Sequence, residues 1–128
     1  MTIDGRCLNA FCEPLDRPGA FDACQGMGAQ LARINNVLDN NYVSQLHGAQ
    51  GTWIDGTDEL NEGQWIDVNG NQLSYFNWAN NEPDNWTGAS PDGQNCVFTN
   101  MGGGGWWGDI QCDYVLPCYA CEQGMLYN

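Results

Sequence analysis

The chain has 128 residues, the length of a single domain with a modest core. Its formal net charge is −13, with three arginines and no lysine, so the phosphates of nucleic acids and of anionic membranes would repel it. No run of roughly 18 apolar residues occurs, which argues against membrane insertion.

Seven cysteines in so short a chain indicate a disulfide framework and therefore a secreted, extracellular protein. Zinc is the alternative, but Cys118 and Cys121 form a single Cys-x-x-Cys pair, and the one histidine, His47, lies far from the cysteine clusters. Because the count is odd, we expect one cysteine to bridge two chains. Met1 to Gly5 lacks the apolar core of a signal peptide, so we expect a mature chain with an added Met1.

The first third of the chain has a mostly helical pattern. Apolar residues recur on a rough helical period from Ala20 to Leu31. Asn35 or Asn36 is suited to cap a second helix, which carries an apolar stripe at every fourth residue from Leu38 to Leu46. We expect both stripes to face the core.

Short strands and turns are predicted for the rest of the chain. Gln64 to Val68 alternates and leads into a turn signal at Asn69-Gly70. From Leu73 to Gly105 the residues are polar or turn-forming with little periodicity, and loops this long are usually functional. Further strands are predicted at Thr52 to Ile54, Cys96 to Phe98 and Tyr119 to Cys121. Three tryptophans are expected to fill the core beneath the loops: Trp78, Trp106 and Trp107.

The long loop region concentrates oxygen ligands around a proline. Glu82-Pro83-Asp84 places a carboxylate on each side of the proline, and Asp109 supplies a third acid shortly before Cys112. Ca²⁺ takes six to eight such oxygen ligands. Trp86 offers a flat apolar face to part of a ligand that the ion also holds. The sequence therefore indicates a calcium-dependent sugar-binding site.

Several pieces in a fixed order along residues 1–128 resemble the C-type lectin domain family. They are Phe21 to Cys24, Gly28 to Ala32, Trp53 to Gly56, Tyr75 to Trp78, Trp107-Gly108-Asp109 and Cys121-Glu122. The resemblance implies one carbohydrate-recognition domain of the α+β class. Its C-type lectin-like fold has two helices, two small antiparallel sheets and a long loop region stapled by disulfides.

The disulfide pattern follows from the same resemblance. The family pattern implies two bridges, Cys24 to Cys121 and Cys96 to Cys112. The family's first strand pairs with its last, which would place Cys12 beside Cys118 and leave Cys7 to link two chains as a disulfide-linked homodimer. Cys7 with Cys118, leaving Cys12, is the alternative.

The resemblance also implies a ligand set for the main Ca²⁺. The family holds this ion through the residues that flank a cis proline, a following Glu, and the Asn and Asp of Trp-Asn-Asp. The matching positions are Glu82, Asp84, Gln94, Gly108 and Asp109. Gln94 replaces a carboxylate with an amide and Gly108 offers no side chain, so we expect Ca²⁺ binding near the millimolar range. A degenerate domain that binds no Ca²⁺ is the alternative.

The expected sugar is of the galactose type. The Glu-Pro-Asp triplet is a hybrid of the family's mannose-type Glu-Pro-Asn and galactose-type Gln-Pro-Asp. Pro83 to Trp86 resembles the Pro-Asp-x-Trp of galactose and N-acetylgalactosamine binders, in which the ring packs on the apolar face of galactose. The predicted sugar contacts are Glu82, Asp84, Trp86 and Asp109.

A second family ion site is suggested by Asp58 and Glu62, with Asn85, Gln94 and Asn95 as its other members. These three amides stand in place of acids and weaken the attraction to a divalent cation. A solvated acidic turn is the alternative.

The leading interpretation is a secreted, non-enzymatic lectin whose weak single site gains avidity when two chains are linked. A protein-binding or ice-binding module of the same fold is the alternative, favoured by the loss of two Ca²⁺ ligands. Asp84 and Asp109 resemble the carboxylate pair of a glycosidase, but the chain has no nucleophile motif or deep-pocket signature, so we expect no enzyme.

Overall fold

The structure is a computed structural model that describes residues 2–3, 5–46, 50–84, 93–101 and 103–124. These residues form an α+β fold, as the sequence predicted. In chain order the elements are β1 (Thr2–Ile3), β2 (Arg6–Phe11), α1 (Arg17–Gly26), β3 (Gln30–Leu31), α2 (Val37–Gln45), β4 (Thr52–Thr57), β5 (Cys96–Thr99), β6 (Trp107–Ile110) and β7 (Cys118–Gly124).

Both helices begin at side-chain caps. The carboxylate of Asp16 accepts a hydrogen bond from the backbone N–H of Gly19 at 2.9 Å, at the start of α1. The side chain of Asn36 accepts from the backbone N–H of Asp39 at 2.9 Å, at the start of α2. Each cap satisfies a donor that the first helical turn leaves without a partner. The sequence offered Asn35 or Asn36 as the cap of the second helix, and the structure shows that Asn36 is the cap.

The first third of the chain is less helical than its periodicity predicted. α1 ends at Gly26 and does not continue to Leu31, because Gly28 has φ +74° and turns the chain into β3. Arg6–Phe11 forms β2, which pairs with β7 along its whole length. The prediction of helix from Ala20 to Leu31 is wrong over its last residues, whereas the helix and following strand that the resemblance implied are present.

The strands form one sheet in the order β1-β2-β7-β4-β5-β6, with β3 also paired to β7. It consists of two antiparallel groups, β1-β2-β7-β3 and β4-β5-β6. A short parallel pairing of β4 with β7, at Thr52 with Cys118 and Trp53 with Tyr119, joins the groups. The two small antiparallel sheets that the sequence implied are thus continuous. Within the described residues, Gln64 to Val68 contributes two isolated bridges at Ile66, one to Thr57 and one to Gln72.

Disulfides cross-link the sheet to neighbouring segments of the chain. The structure contains the bridges Cys12–Cys118, Cys24–Cys121 and Cys96–Cys112. The last two are the pairs that the resemblance implied, and the first is one of its two alternatives. Cys7 is exposed and carries no disulfide. In the chain-entropy picture, a bridge that closes a loop of about 100 residues stabilises the fold by about 4–5 kcal/mol.

Candidate functional site

The loop that carries the predicted ligands is anchored on β6. The backbone N–H of Ala79 donates to the carbonyl of Trp107 at 2.8 Å, and the N–H of Trp107 donates to Asn77 at 2.8 Å. The N–H of Glu82 then donates to the carbonyl of Ala79 at 3.0 Å, which closes a turn. The following peptide bond, Glu82–Pro83, is cis. This arrangement holds the residues that flank Pro83 beside the middle of β6.

Three carboxylates meet at this point. One oxygen from each of Glu82, Asp84 and Asp109 lies within 4.8 Å of the others. The N–H of Asp109 donates to Glu82 Oε1 at 3.2 Å, and Asp109 Oδ1 accepts from the N–H of Asp84 at 3.1 Å. Asp109 is buried, Glu82 is half-buried and Asp84 is exposed. The carboxylate cluster therefore opens to solvent on the side of Asp84.

The electrostatics of the carboxylate cluster favour a cation. Burial, together with the neighbouring carboxylates of Asp109 and Asp84, raises the pKa of Glu82 to about 8. The arginines of the chain form ion pairs elsewhere: Arg6 with Asp39 and Glu122, Arg17 with Asp55, and Arg33 with Asp67. Hard carboxylate oxygens that crowd together in this way fit a hard divalent cation.

Gly108 changes the shape of the cluster. A Cβ atom at this position would lie 2.6 Å from Met101 Sδ, 3.0 Å from Phe98 Cε1 and 3.2 Å from Glu82 Oε1. Two apolar side chains thus occupy the space that a side-chain ligand would need. The carboxylate cluster fits a divalent cation, but with one protein ligand fewer than the resemblance implied for the family.

The structure leaves the roles of several other predicted site residues as predictions. Gln94 is half-buried just before β5, and its role as a ligand stays a prediction. Asn85 and Trp86 lie outside the described residues, so their predicted roles also stay predictions. His47 is likewise outside them.

The structure brings together part of the predicted second ion site. Asp58 is buried, its Oδ2 accepts from the N–H of Gly63 at 2.8 Å, and its backbone N–H donates to the carbonyl of Asn95 at 3.1 Å. Within the described residues, Asp58 Oδ1 has no hydrogen-bond partner. Glu62 is exposed as a residue, yet partial burial of its carboxyl group and the adjacent Asp58 raise its pKa to about 7. Two acids therefore lie together here, beside the backbone of Asn95.

One of the expected core tryptophans is on the surface. Trp107 is 1% exposed and its Nε1 donates to Asn40 Oδ1 at 2.7 Å, and Trp78 packs against the core. Trp106 is 50% exposed, so the prediction that it fills the core is wrong. Successive side chains of a strand point to opposite faces. Trp106 immediately precedes β6, and adjacent residues in extended backbone are not expected to share one environment.

Residues 14–123 match the family model described as the Lectin C-type domain. The chain belongs to the C-type lectin domain family. Domains of this family are carbohydrate-binding modules and not enzymes, in agreement with the function class that the sequence predicted.

Curated relatives align along almost the whole of this C-type lectin domain. The galactose-specific lectin nattectin of Thalassophryne nattereri is 32% identical over 125 residues, which cover 94% of this chain and 75% of nattectin. The versican core protein of Rattus norvegicus is 30% identical over 122 residues, which cover 95% of this chain but 4% of versican. The chain therefore corresponds to only a small part of the versican core protein.

Solved structures with the same fold include proteins described by different functions. The carbohydrate-recognition domain of the human scavenger receptor C-type lectin has a TM-score of 0.85 and 26% identity, with 97% of this chain and 95% of that chain covered. The herring type II antifreeze protein has a TM-score of 0.84 and 26% identity, with coverage of 96% of this chain and 94% of that chain.

Neither helix that the structure describes has the length and apolar character to cross a bilayer.

Proposed function

We propose that this C-type lectin domain is a secreted, Ca²⁺-dependent lectin that binds terminal galactose-type sugars. The observation that carries the proposal is the meeting of Glu82, Asp84 and Asp109 around the cis proline. The similarity to nattectin, which is named a galactose-specific lectin, supports the type of sugar. The seven cysteines and three disulfides support an oxidising, extracellular setting.

Four side chains would hold the ion: Glu82, Asp84, Gln94 and Asp109. Bound Ca²⁺ supplies coordination positions for two neighbouring sugar hydroxyls. With the cation bound, Glu82 and Asp84 would both be ionised and would accept hydrogen bonds from those hydroxyls, because an ionised carboxylate has acceptors and no donor. Asp109 is buried; its backbone N–H donates to Glu82 and its side-chain Oδ1 accepts from the N–H of Asp84, and these two bonds fix the positions of the flanking residues. A second, weaker cation would lie at Asp58, Glu62, Asn85 and Asn95.

Trp86 selects galactose in this proposal. An aromatic ring packs on the continuous apolar C–H face of galactose, whereas mannose bound at the ion would clash with such a ring. We expect Trp86→Ala to weaken galactose binding by about 1–3 kcal/mol, in the range of aromatic anchors at other interfaces. Tyr114→Ala is the matched control, because Tyr114 is an exposed aromatic residue outside the carboxylate cluster and the Pro83 loop.

Titration calorimetry of galactose and of mannose, with Ca²⁺ and again with excess chelator, tests the proposal. We expect heat from galactose that disappears with chelator, and a weaker signal from mannose. Galactose binding that survives chelation would reject the role of the ion. Equal affinity for the two sugars would reject the role assigned to Trp86.

Cys7 would link two such domains into a homodimer. It is exposed on β2, next to a cavity of about 130 Å³ whose lining includes Phe11 and Met27. Two linked sites raise avidity without any new contact to the sugar. Non-reducing electrophoresis of the wild type and of Cys7→Ser tests this. A dimer band that is lost in Cys7→Ser supports the link, and a monomer for both rejects it.

A second candidate function is ice or protein binding by a degenerate domain. The similarity to the herring type II antifreeze protein and the absence of a side chain at Gly108 favour it. An ice-recrystallisation assay separates the candidates. Inhibition of ice growth together with no heat from either sugar would favour this function over the lectin.

A further inference from the structure

We infer that Trp106, Met101 and Asn80 form a second subsite, which takes the sugar residue next to the galactose held at the carboxylate cluster. The inference rests on the proposed lectin function. It extends the ligand from a terminal monosaccharide to a galactoside whose next residue contacts the protein.

The apolar part of the subsite is exposed beside the carboxylate cluster. Trp106 is 50% exposed and Met101 is 39% exposed. The backbone N–H of Met101 donates to the carbonyl of Trp106 at 2.8 Å, so the two residues lie side by side. An exposed indole face with an adjacent thioether offers the kind of surface on which the apolar face of a sugar ring packs.

The polar part lies in a concavity at the same place. A cavity of about 290 Å³ is lined by Ala79, Asn80 and Trp106. Asn80 is exposed, and its amide offers both donors and an acceptor to sugar hydroxyls. An aromatic face with one or two polar groups in a concavity is the usual composition of a small-molecule site.

The subsite adjoins the carboxylate cluster through Met101, which approaches Gly108, and through the turn that contains Asn80. Trp106 immediately precedes β6 and stands two residues before Gly108, a spacing of about 7 Å along an extended chain. A Cβ at Gly108 would lie 3.2 Å from Glu82 Oε1. Met101 Sδ lies 2.6 Å from the same Cβ position and the N–H of Met101 donates to the carbonyl of Trp106, so Met101 connects the indole side of the subsite to the carboxylates. Asn80 and Glu82 also belong to one turn, which the hydrogen bond from Glu82 N–H to Ala79 closes.

These positions suit an occupant that begins at the carboxylates and continues over Trp106. A monosaccharide coordinated at the carboxylate cluster has no second ring to place there, whereas a disaccharide with terminal galactose does. The acidic surface also disfavours a negatively charged second residue such as a uronic acid, because the chain has a net charge of −13.

Calorimetry with Ca²⁺ present tests the inference, using methyl β-galactoside and a panel of neutral disaccharides with terminal galactose in different linkages. For the wild type we expect at least one disaccharide to bind about five- to tenfold more tightly than the methyl glycoside. Trp106→Ala should remove this advantage and leave the affinity for the methyl glycoside unchanged. Trp106→Phe should keep part of it, and the control Tyr114→Ala should keep all of it.

The experiment distinguishes a failure of the subsite from a failure of the proposed function. If the methyl glycoside binds but no disaccharide binds more tightly, or if Trp106→Ala weakens both ligands equally, the subsite is rejected and the proposed function stands. If no galactoside binds the wild type with Ca²⁺, the proposed function is rejected and the subsite with it. Circular dichroism and the Tm of each variant verify that substitution of these exposed residues leaves the fold intact.

Discussion

The carboxylate of Glu82 accepts a hydrogen bond from the backbone N–H of Asp109, 3.2 Å away, so two residues 27 positions apart share one site. Asp109 in turn accepts from the N–H of Asp84 at 3.1 Å. Asp109→Asn keeps an oxygen for this second bond and removes one negative charge. Even groups that only position metal ligands cost 10–100-fold in metal affinity when they are lost. We therefore expect Asp109→Asn to lower the affinity for Ca²⁺ by at least about tenfold.

The measurement is calorimetric titration of Ca²⁺ into the metal-free protein. Asp22→Asn is the matched control, because Asp22 is an exposed acid on α1 and its loss changes the net charge by the same amount. Equal Ca²⁺ affinities for Asp109→Asn and the wild type would show that the carboxylate cluster is not the ion site.

Gly108 and Met101 are coupled by their packing. A side chain at position 108 would approach Met101 Sδ to 2.6 Å, so Gly108→Asn alone should overpack the site and destabilise the fold by about 1–3 kcal/mol. Met101→Ala removes the obstructing thioether. We expect the double variant to recover much of this loss and to bind Ca²⁺ more tightly than the wild type, because the new amide oxygen can reach the ion.

A double-mutant cycle in both stability and Ca²⁺ affinity checks this coupling. The stability of each variant is measured by urea denaturation in chelator, and the affinity by calorimetry. Phe98 also lies 3.0 Å from the would-be Cβ, so some residual strain is expected in the double variant. Additive effects of the two substitutions would contradict the proposed coupling.

The residue types of the carboxylate cluster could be read from the sequence, because the two acids that flank Pro83 are adjacent in the chain. The residue types of Glu82-Pro83-Asp84 and Asp109 are those of the hard-cation site proposed here. The cap at Asn36 was also predictable to within one residue, since a cap depends on its nearest neighbours.

The surroundings of the site were not predictable, because they depend on contacts between distant segments. Met101 obstructs Gly108 only because the chain after β5 folds back and pairs Met101 with Trp106. Arg6 is another example, because its guanidinium joins Asp39 of α2 at 2.6 Å to Glu122 of β7 at 3.1 Å. Nothing in the residues adjacent to Arg6 indicates either partner.

Asn100 fixes the segment that presents Met101 and Trp106. It has φ +68° and is 6% exposed. Its Nδ2 donates to the carbonyls of Ser44 and Gln50, each at 3.0 Å, and its Oδ1 accepts from the N–H of Gly105 at 2.9 Å. We expect Asn100→Ala to destabilise the protein by about 2–4 kcal/mol, because buried polar groups lose their partners.

The comparison of Asn100→Ala with Asn100→Gly separates two causes of this loss. Both variants lack the amide, but glycine adopts a positive φ without the penalty of about 1–2 kcal/mol that a Cβ incurs. In urea denaturation, Asn100→Gly should therefore be the more stable of the two. If both variants are as stable as the wild type, the amide contacts contribute nothing to the fold.

Asp55 gives the stability of this domain a pH dependence that is separate from the ion sites. Its side chain is 1% exposed, and burial raises its pKa to about 7, although Arg17 lies 3.3 Å away and the N–H of Val68 donates to it at 3.0 Å. Nearby Asp67 and Glu122 raise the pKa further. The folded protein therefore binds this proton more tightly than the unfolded chain, whose aspartate has a pKa near 3.9.

The sign of the effect follows from linkage. The contribution of Asp55 is fully present below about pH 4 and is lost as the pH rises through about 7, at no more than about 1.4 kcal/mol per pH unit. Asp67 acts in the opposite direction, because the raising effect of its burial is outweighed by its hydrogen bonds and by Arg33, which together lower its pKa. The difference in unfolding free energy between the wild type and Asp55→Asn isolates the first effect. We define the difference as the unfolding free energy of the wild type minus that of Asp55→Asn, each measured by urea denaturation in chelator. This value should fall from pH 5 to pH 8, and a value that rises would contradict the raised pKa of Asp55.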